Sequence, residues 1–77
     1  MKKAVIDMGT NSTRLAIAEQ IGGQFQMTYT EVAETRLGEG MGDERIIRAV
    51  PLERNVKTVQ QFVAKAKEMN VESIRIT

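Results

Sequence analysis

The hydrophobic pattern of this chain changes its period once, and that change limits the folds open to it. Up to Glu34 the apolar residues fall in short alternating runs, the two-residue repeat of strands. From Leu52 they fall at Leu52, Val56, Val59, Phe62, Val63, Ala66 and Met69, which trace one face of a helix. Turn residues cut the first part into three. Lys3–Ile6 ends at Asp7-Met8-Gly9-Thr10-Asn11-Ser12, a run of turn chemistry. Thr13–Glu19 ends at Gly22-Gly23, a strong hairpin signal. A third run follows, with Phe25, Met27 and Tyr29 alternating against Gln26, Thr28 and Thr30, which predicts one buried and one wet face. Ser73–Thr77 begins a fourth strand after the helix.

The expected fold is therefore α/β: three antiparallel strands, a helix, then a fourth strand parallel to the first, reached by a helical crossover. Pro51 suits the first turn of the helix, where its missing N–H costs nothing. Glu53 is expected in the first turn, and Lys65 and Lys67 near the end, as the helix dipole prefers. Asn70 followed by Val71 suits a left-handed C-terminal cap. Between Thr35 and Asp43, three glycines in five positions predict a loop of special backbone geometry, and Ile46-Ile47 a short turn against the core.

Composition then narrows the chemistry. The 77 residues include no cysteine and no histidine, which removes thiolate metal sites, the usual zinc ligands and the Ser-His-Asp arrangement. Eleven basic against ten acidic side chains leave a net charge of +1, without the basic excess of a nucleic-acid binder. Three aromatic residues give no stacking platform for single strands. The apolar run behind Lys2-Lys3 is too short for a signal peptide or a membrane span. The absence of cysteine fits a reducing cytoplasm, the expected compartment.

Two segments concentrate polar groups that suit an anion. In Asp7-x-Gly9-Thr10-Asn11-Ser12 a glycine permits close backbone approach, Thr10, Asn11 and Ser12 add donors, and Arg14 follows. Asp7, at the end of the first strand, is the candidate for a divalent metal or its water. The same residues also make an ordinary turn. In Arg36-Leu37-Gly38-Glu39-Gly40-Met41 the guanidinium of Arg36 suits bidentate phosphate contact, while a solvated surface loop is the alternative. Glu39 is the best carboxylate here for acid/base work. The helix stripe reads as core, and Lys57, Lys65, Lys67 and Glu68 as a solvated face.

Ala4 to Leu15 closely resembles the first phosphate motif of the exopolyphosphatase/guanosine pentaphosphate phosphohydrolase (Ppx/GppA) family, I-D-x-G-[ST]-N-S-x-R-L. Arg36–Met41 resembles that family's R-L-G-x-G-[LM] segment, and the resemblance extends over the whole chain. Asp-x-Gly-[ST] alone is shared with actin, Hsp70 and sugar kinases; the Asn11-Ser12-x-Arg14-Leu15 extension is specific. The resemblance implies that residues 1–77 are the N-terminal part of the first of two ribonuclease-H-like domains, with the second absent. It implies a hydrolase acting on terminal phosphates of polyphosphate or guanosine pentaphosphate, with Mg²⁺. Asp7, Gly9, Thr10, Asn11, Ser12 and Arg14 would line the phosphate site, with Arg36 close by and Asp7 toward the metal. The family's catalytic glutamate and second phosphate loop lie in segments this chain lacks. No residue here is assigned as catalytic, Glu39 included, and the isolated chain is expected to be inactive. The alternatives are an ATP-binding kinase or an actin-like assembly module of the same superfamily. Self-association is expected, by pairing at an open strand edge or by exchange of an element between protomers, favoured by a sheet face left without cover; no nucleic-acid or membrane partner is expected.

Overall fold

A computed structural model describes residues 1–40 and 47–77. Strands β1 (Lys2–Met8), β2 (Thr13–Ile21) and β3 (Gln24–Ala33) precede helix α1 (Ala49–Glu68) and strand β4 (Ser73–Ile76). They form one four-stranded sheet in the order β3-β2-β1-β4. β1 and β3 run antiparallel to β2, and β4 runs parallel to β1. The expected architecture holds. Gly42 and Ile46, on which parts of the loop and turn expectations rest, lie outside the described residues.

The β2–β3 hairpin turns on Gly22 and Gly23, both at positive φ (59° and 84°), the pairing that the strand twist favours in a two-residue loop. Side chains of β2 then alternate cleanly. Thr13, Leu15 and Ile17 face the helix and are fully buried, opposite Met8, Ile6 and Ala4 of β1. Phe62 and Ala66 of α1 close this core from above. Each large apolar side chain so buried contributes about 1.5–3 kcal/mol.

The other face of the sheet carries Lys3, Val5, Ala16 and Ala18, with no helix over it among the described residues. One expectation fails here. Phe25 and Met27 do not share the face of Tyr29. The register runs Ile17↔Tyr29 and then Ala18↔Met27, so Thr28 is an extra residue in β3. Such a bulge shifts the two-residue alternation by one. Tyr29 is thereby set beside Ile17 on the helix side, and Phe25 and Met27 beside Gln20 and Ala18 on the open side. The Thr28 hydroxyl donates to the Ile17 carbonyl at this break, 3.4 Å away.

Helix α1 begins earlier than its apolar stripe. Pro51 is its third residue, and the first four residues contain no acid, so Glu53 lies beyond the first turn. Lys65 and Lys67 occupy the last turn as expected. Asn70 stands at φ 59°, and the N–H groups of Asn70 and Val71 bond the carbonyls of Lys67 and Ala66, the left-handed cap expected from the sequence. The inward stripe is rotated from the expected one. Pro51, Asn55, Phe62 and Ala66 are buried, while Leu52 and Val56 are about half exposed along a groove of about 430 Å³ that Met8, Leu37, Ile47 and Ile76 also line.

Candidate anion-binding site

At one end of the sheet, two irregular segments meet. The turn between β1 and β2 closes on itself, with the Gly9 N–H donating to the Ser12 carbonyl at 2.8 Å. A Cβ on Gly9 would stand 3.0 Å from that same oxygen, so the absence of a side chain is what lets the turn close. The Gly9 amide is thus spent inside the turn. Thr10 and Asn11 are exposed and Ser12 half-buried. Among the described residues, no hydrogen bond from protein groups occupies the side chains of these three.

The segment after β3 lies alongside. Arg36 N–H donates to the Asn11 carbonyl and Gly38 N–H to the Thr10 carbonyl, each at 3.0 Å. Arg36 adopts φ 49°, a left-handed backbone that costs a non-glycine residue roughly 1–2 kcal/mol. Gly40, at φ 73°, follows in a conformation natural to glycine. The two sequence motifs are therefore joined backbone to backbone.

Charge at this junction is shared by three side chains. Glu39 Oε2 lies 3.3 Å from Arg36 Nε and 3.0 Å from Arg54 Nη2. Arg54 also donates through Nε to the Thr35 carbonyl at 2.7 Å. These ion pairs are partly solvated and of modest strength, about 0–1 kcal/mol each.

Behind the two segments sits a group that sequence reasoning missed. Thr13, Thr35 and Asn55 are the buried polar residues of the described chain, 0–3% exposed. Thr13 Oγ1 donates to Asn55 Oδ1 at 2.6 Å and lies 3.1 Å from Thr35 Oγ1. Its single proton is committed to Asn55, so Thr35 is the donor of that second bond. Asn55 Nδ2 points to the Met8 sulfur at 3.4 Å. One signal was present in the sequence: Asn55 lies four residues before Val59 and seven before Phe62, on the helix's own repeat.

Of the residues singled out from the sequence, Asp7 to Ser12 and Arg36 come together here. Asp7 is exposed, and its Oδ1 accepts from the Thr77 hydroxyl at 3.3 Å. Arg14 is directly opposite Asp7 in the ladder, on the open face of the sheet. No group of three or more acidic side chains clusters among the described residues. A Mg²⁺ ion suits one or two carboxylates completed by phosphate oxygens and water, and Asp7 is a donor of that kind. No helix among the described residues is long and apolar enough to cross a membrane.

No family model matches the chain. It is 26% identical over 73 residues to the guanosine-5'-triphosphate,3'-diphosphate pyrophosphatase of Pseudoalteromonas atlantica, covering 95% of this chain and 14% of that protein. The exopolyphosphatase of Cytophaga hutchinsonii superposes on 99% of the chain at a TM-score of 0.91 and 25% identity. The Aquifex aeolicus Ppx/GppA phosphatase, in its type II variant, superposes at 0.91 and 24% identity, and so speaks for the fold. This chain spans about a quarter of each of those two structures. The resemblance to the Ppx/GppA phosphatases thus holds in sequence and in fold.

Proposed function

We propose that this chain, with the fold and first phosphate motif of the Ppx/GppA phosphatases, is the phosphate-cradling N-terminal part of a phosphoanhydride hydrolase, one of whose two ribonuclease-H-like domains it begins. The substrates are terminal phosphates of polyphosphate or guanosine pentaphosphate. The observation that carries this reading is the backbone junction of Thr10 and Asn11 with Arg36 and Gly38. It sets the uncommitted side chains of Thr10, Asn11 and Ser12 beside the loop that carries Arg36. Convergent hydroxyl, amide and guanidinium donors are what phosphate oxygens require.

Within that reading each residue has a task. Thr10, Asn11 and Ser12 donate to the phosphate oxygens and hold the terminal group in line for attack by water. Arg36 offsets charge once its guanidinium turns from Glu39 to the anion. Gly9 keeps the turn tight, and Arg14 adds positive potential from the open face. Asp7 would hold Mg²⁺, which when bound supplies charge neutralisation on the phosphoryl oxygens. The general base comes from a segment outside this chain, so the chain alone releases no phosphate. A cytoplasmic setting suits such substrates.

Calorimetric titration of the chain with tripolyphosphate tests the reading. Saturable binding that Asn11→Ala weakens about tenfold, with the fold intact by circular dichroism, is the expected result. Equal affinity for both chains would overturn it.

A further inference from the structure

We infer that Asn55, acting on Thr13 and through it on Thr35, is a positioning residue for the anion site, fixing the separation of the 7–12 turn from the 35–40 loop. This rests on the phosphate reading above and adds Thr35 and Asn55, outside both motif segments, and Thr13, at an unspecified position of the first. Thr13 directly follows the turn, and Thr35 directly precedes Arg36. The two hydroxyls meet each other at 3.1 Å, and Thr13 meets Asn55 at 2.6 Å. Asn55 therefore holds Thr13 directly and Thr35 through Thr13, each one residue away from the proposed donors of its segment.

Location supports the assignment. The buried polar side chains of the described chain all fall in this one cluster, directly behind the site. Elsewhere the buried side chains are those of Ala4, Ile6, Leu15, Ile17, Pro51, Phe62 and Ala66, whose contacts are non-directional and tolerate sliding. Hydrogen bonds at these lengths do not. No buried side-chain nitrogen or oxygen among the described residues lacks a partner, so each polar atom of the cluster is engaged. The neighbouring Arg54 reinforces the same connection by holding the Thr35 carbonyl. Helix α1 thus reaches the two segments through consecutive residues, Arg54 to Thr35 and Asn55 to Thr13.

The test separates position from stability. Replacing every member of a buried hydrogen-bonded group by apolar side chains of similar shape is close to neutral for folding. The triple variant Thr13→Val, Thr35→Val, Asn55→Leu is expected to melt within a few degrees of the wild type. Its Arg36 and Gly38 amides, which bond the 7–12 turn, should exchange about tenfold faster by NMR, and tripolyphosphate affinity should fall by a similar factor. Thr13→Ser keeps the hydroxyl and should retain both properties. A triple variant with wild-type amide protection and affinity would refute the inference. Should the triple variant not fold, Thr35→Val decides: it leaves the Thr13–Asn55 bond in place, and unchanged protection at Arg36 refutes the role. If the wild-type chain does not bind tripolyphosphate, the phosphate reading fails. Amide protection then still shows whether Asn55 holds the two segments in place.

Discussion

The two faces of the sheet are built from the same strands and have opposite fates. On the helix side, Ile6, Leu15 and Ile17 are wholly buried beneath Phe62 and Ala66. On the other side, Lys3, Val5, Ala16, Ala18, Phe25 and Met27 line an open groove of about 300 Å³, and Met27 is 65% exposed. Lys3 Nζ lies 5.2 Å from the Phe25 ring centre, giving that face a charged rim over an apolar floor. The lesson is that alternation along a strand says which residues share a face, and only the rest of the fold says whether that face is dry.

Truncation should divide the faces most sharply. Leu15→Ala opens a cavity in the covered face and should cost about 2–5 kcal/mol, enough to unfold much of a chain this small. Met27→Ala, on the open face, should move stability by no more than about 0.5 kcal/mol. Urea titration of both variants measures the contrast, and equal losses would erase it.

Association is the next effect in size. Apolar surface without cover, beside the open edge of β4, gives a second copy something to bury. We expect the chain to self-associate, by edge pairing or by covering the open face. Ile76→Lys at the edge and Met27→Glu on the face should each lower the sedimenting mass. A folded wild-type monomer at millimolar concentration would remove this expectation.

The smallest effect belongs to Tyr29, carried to the helix side by the bulge at Thr28. Its phenol donates to Glu31 Oε1 at 2.5 Å, and this bond, then desolvation and the Glu31 charge, raise its pKa above the usual value of about 10. The neutral phenol is the form favoured by folding. Its contribution is therefore complete below pH ~10 and is lost as pH rises through the elevated folded value. Tyr29→Phe should flatten the alkaline end of the stability profile, read by thermal melts between about pH 9 and 11. An unchanged slope would show that Tyr29 and Glu31 do not interact in solution.

What the sequence disclosed follows from range. The hairpin at Gly22-Gly23, the helix and its Asn70 cap are local signals, and all were legible. The bulge was not, because a single extra residue in β3 shows only against the register of β2. The rotation of α1 was missed for a related reason. Leu52 and Val56 are better apolar residues than Asn55, and only its meeting with Thr13, itself joined to Thr35, explains why the polar residue goes inside. At the candidate site, Asp7 to Ser12 and Arg36 could be named from their motifs. The buried trio behind them is defined by pairing across 22 and 42 residues, which no local window contains.

Those separations also set an order of events in time. The β2–β3 hairpin closes through a two-residue loop, and hairpins of that kind form in about 1–10 μs. The bond from Thr13 to Asn55 must wait until forty-odd intervening residues have been gathered and the helix has docked. The candidate anion site is therefore expected to assemble after that hairpin during refolding. The hairpin would stand, for a moment, beside a cradle not yet made.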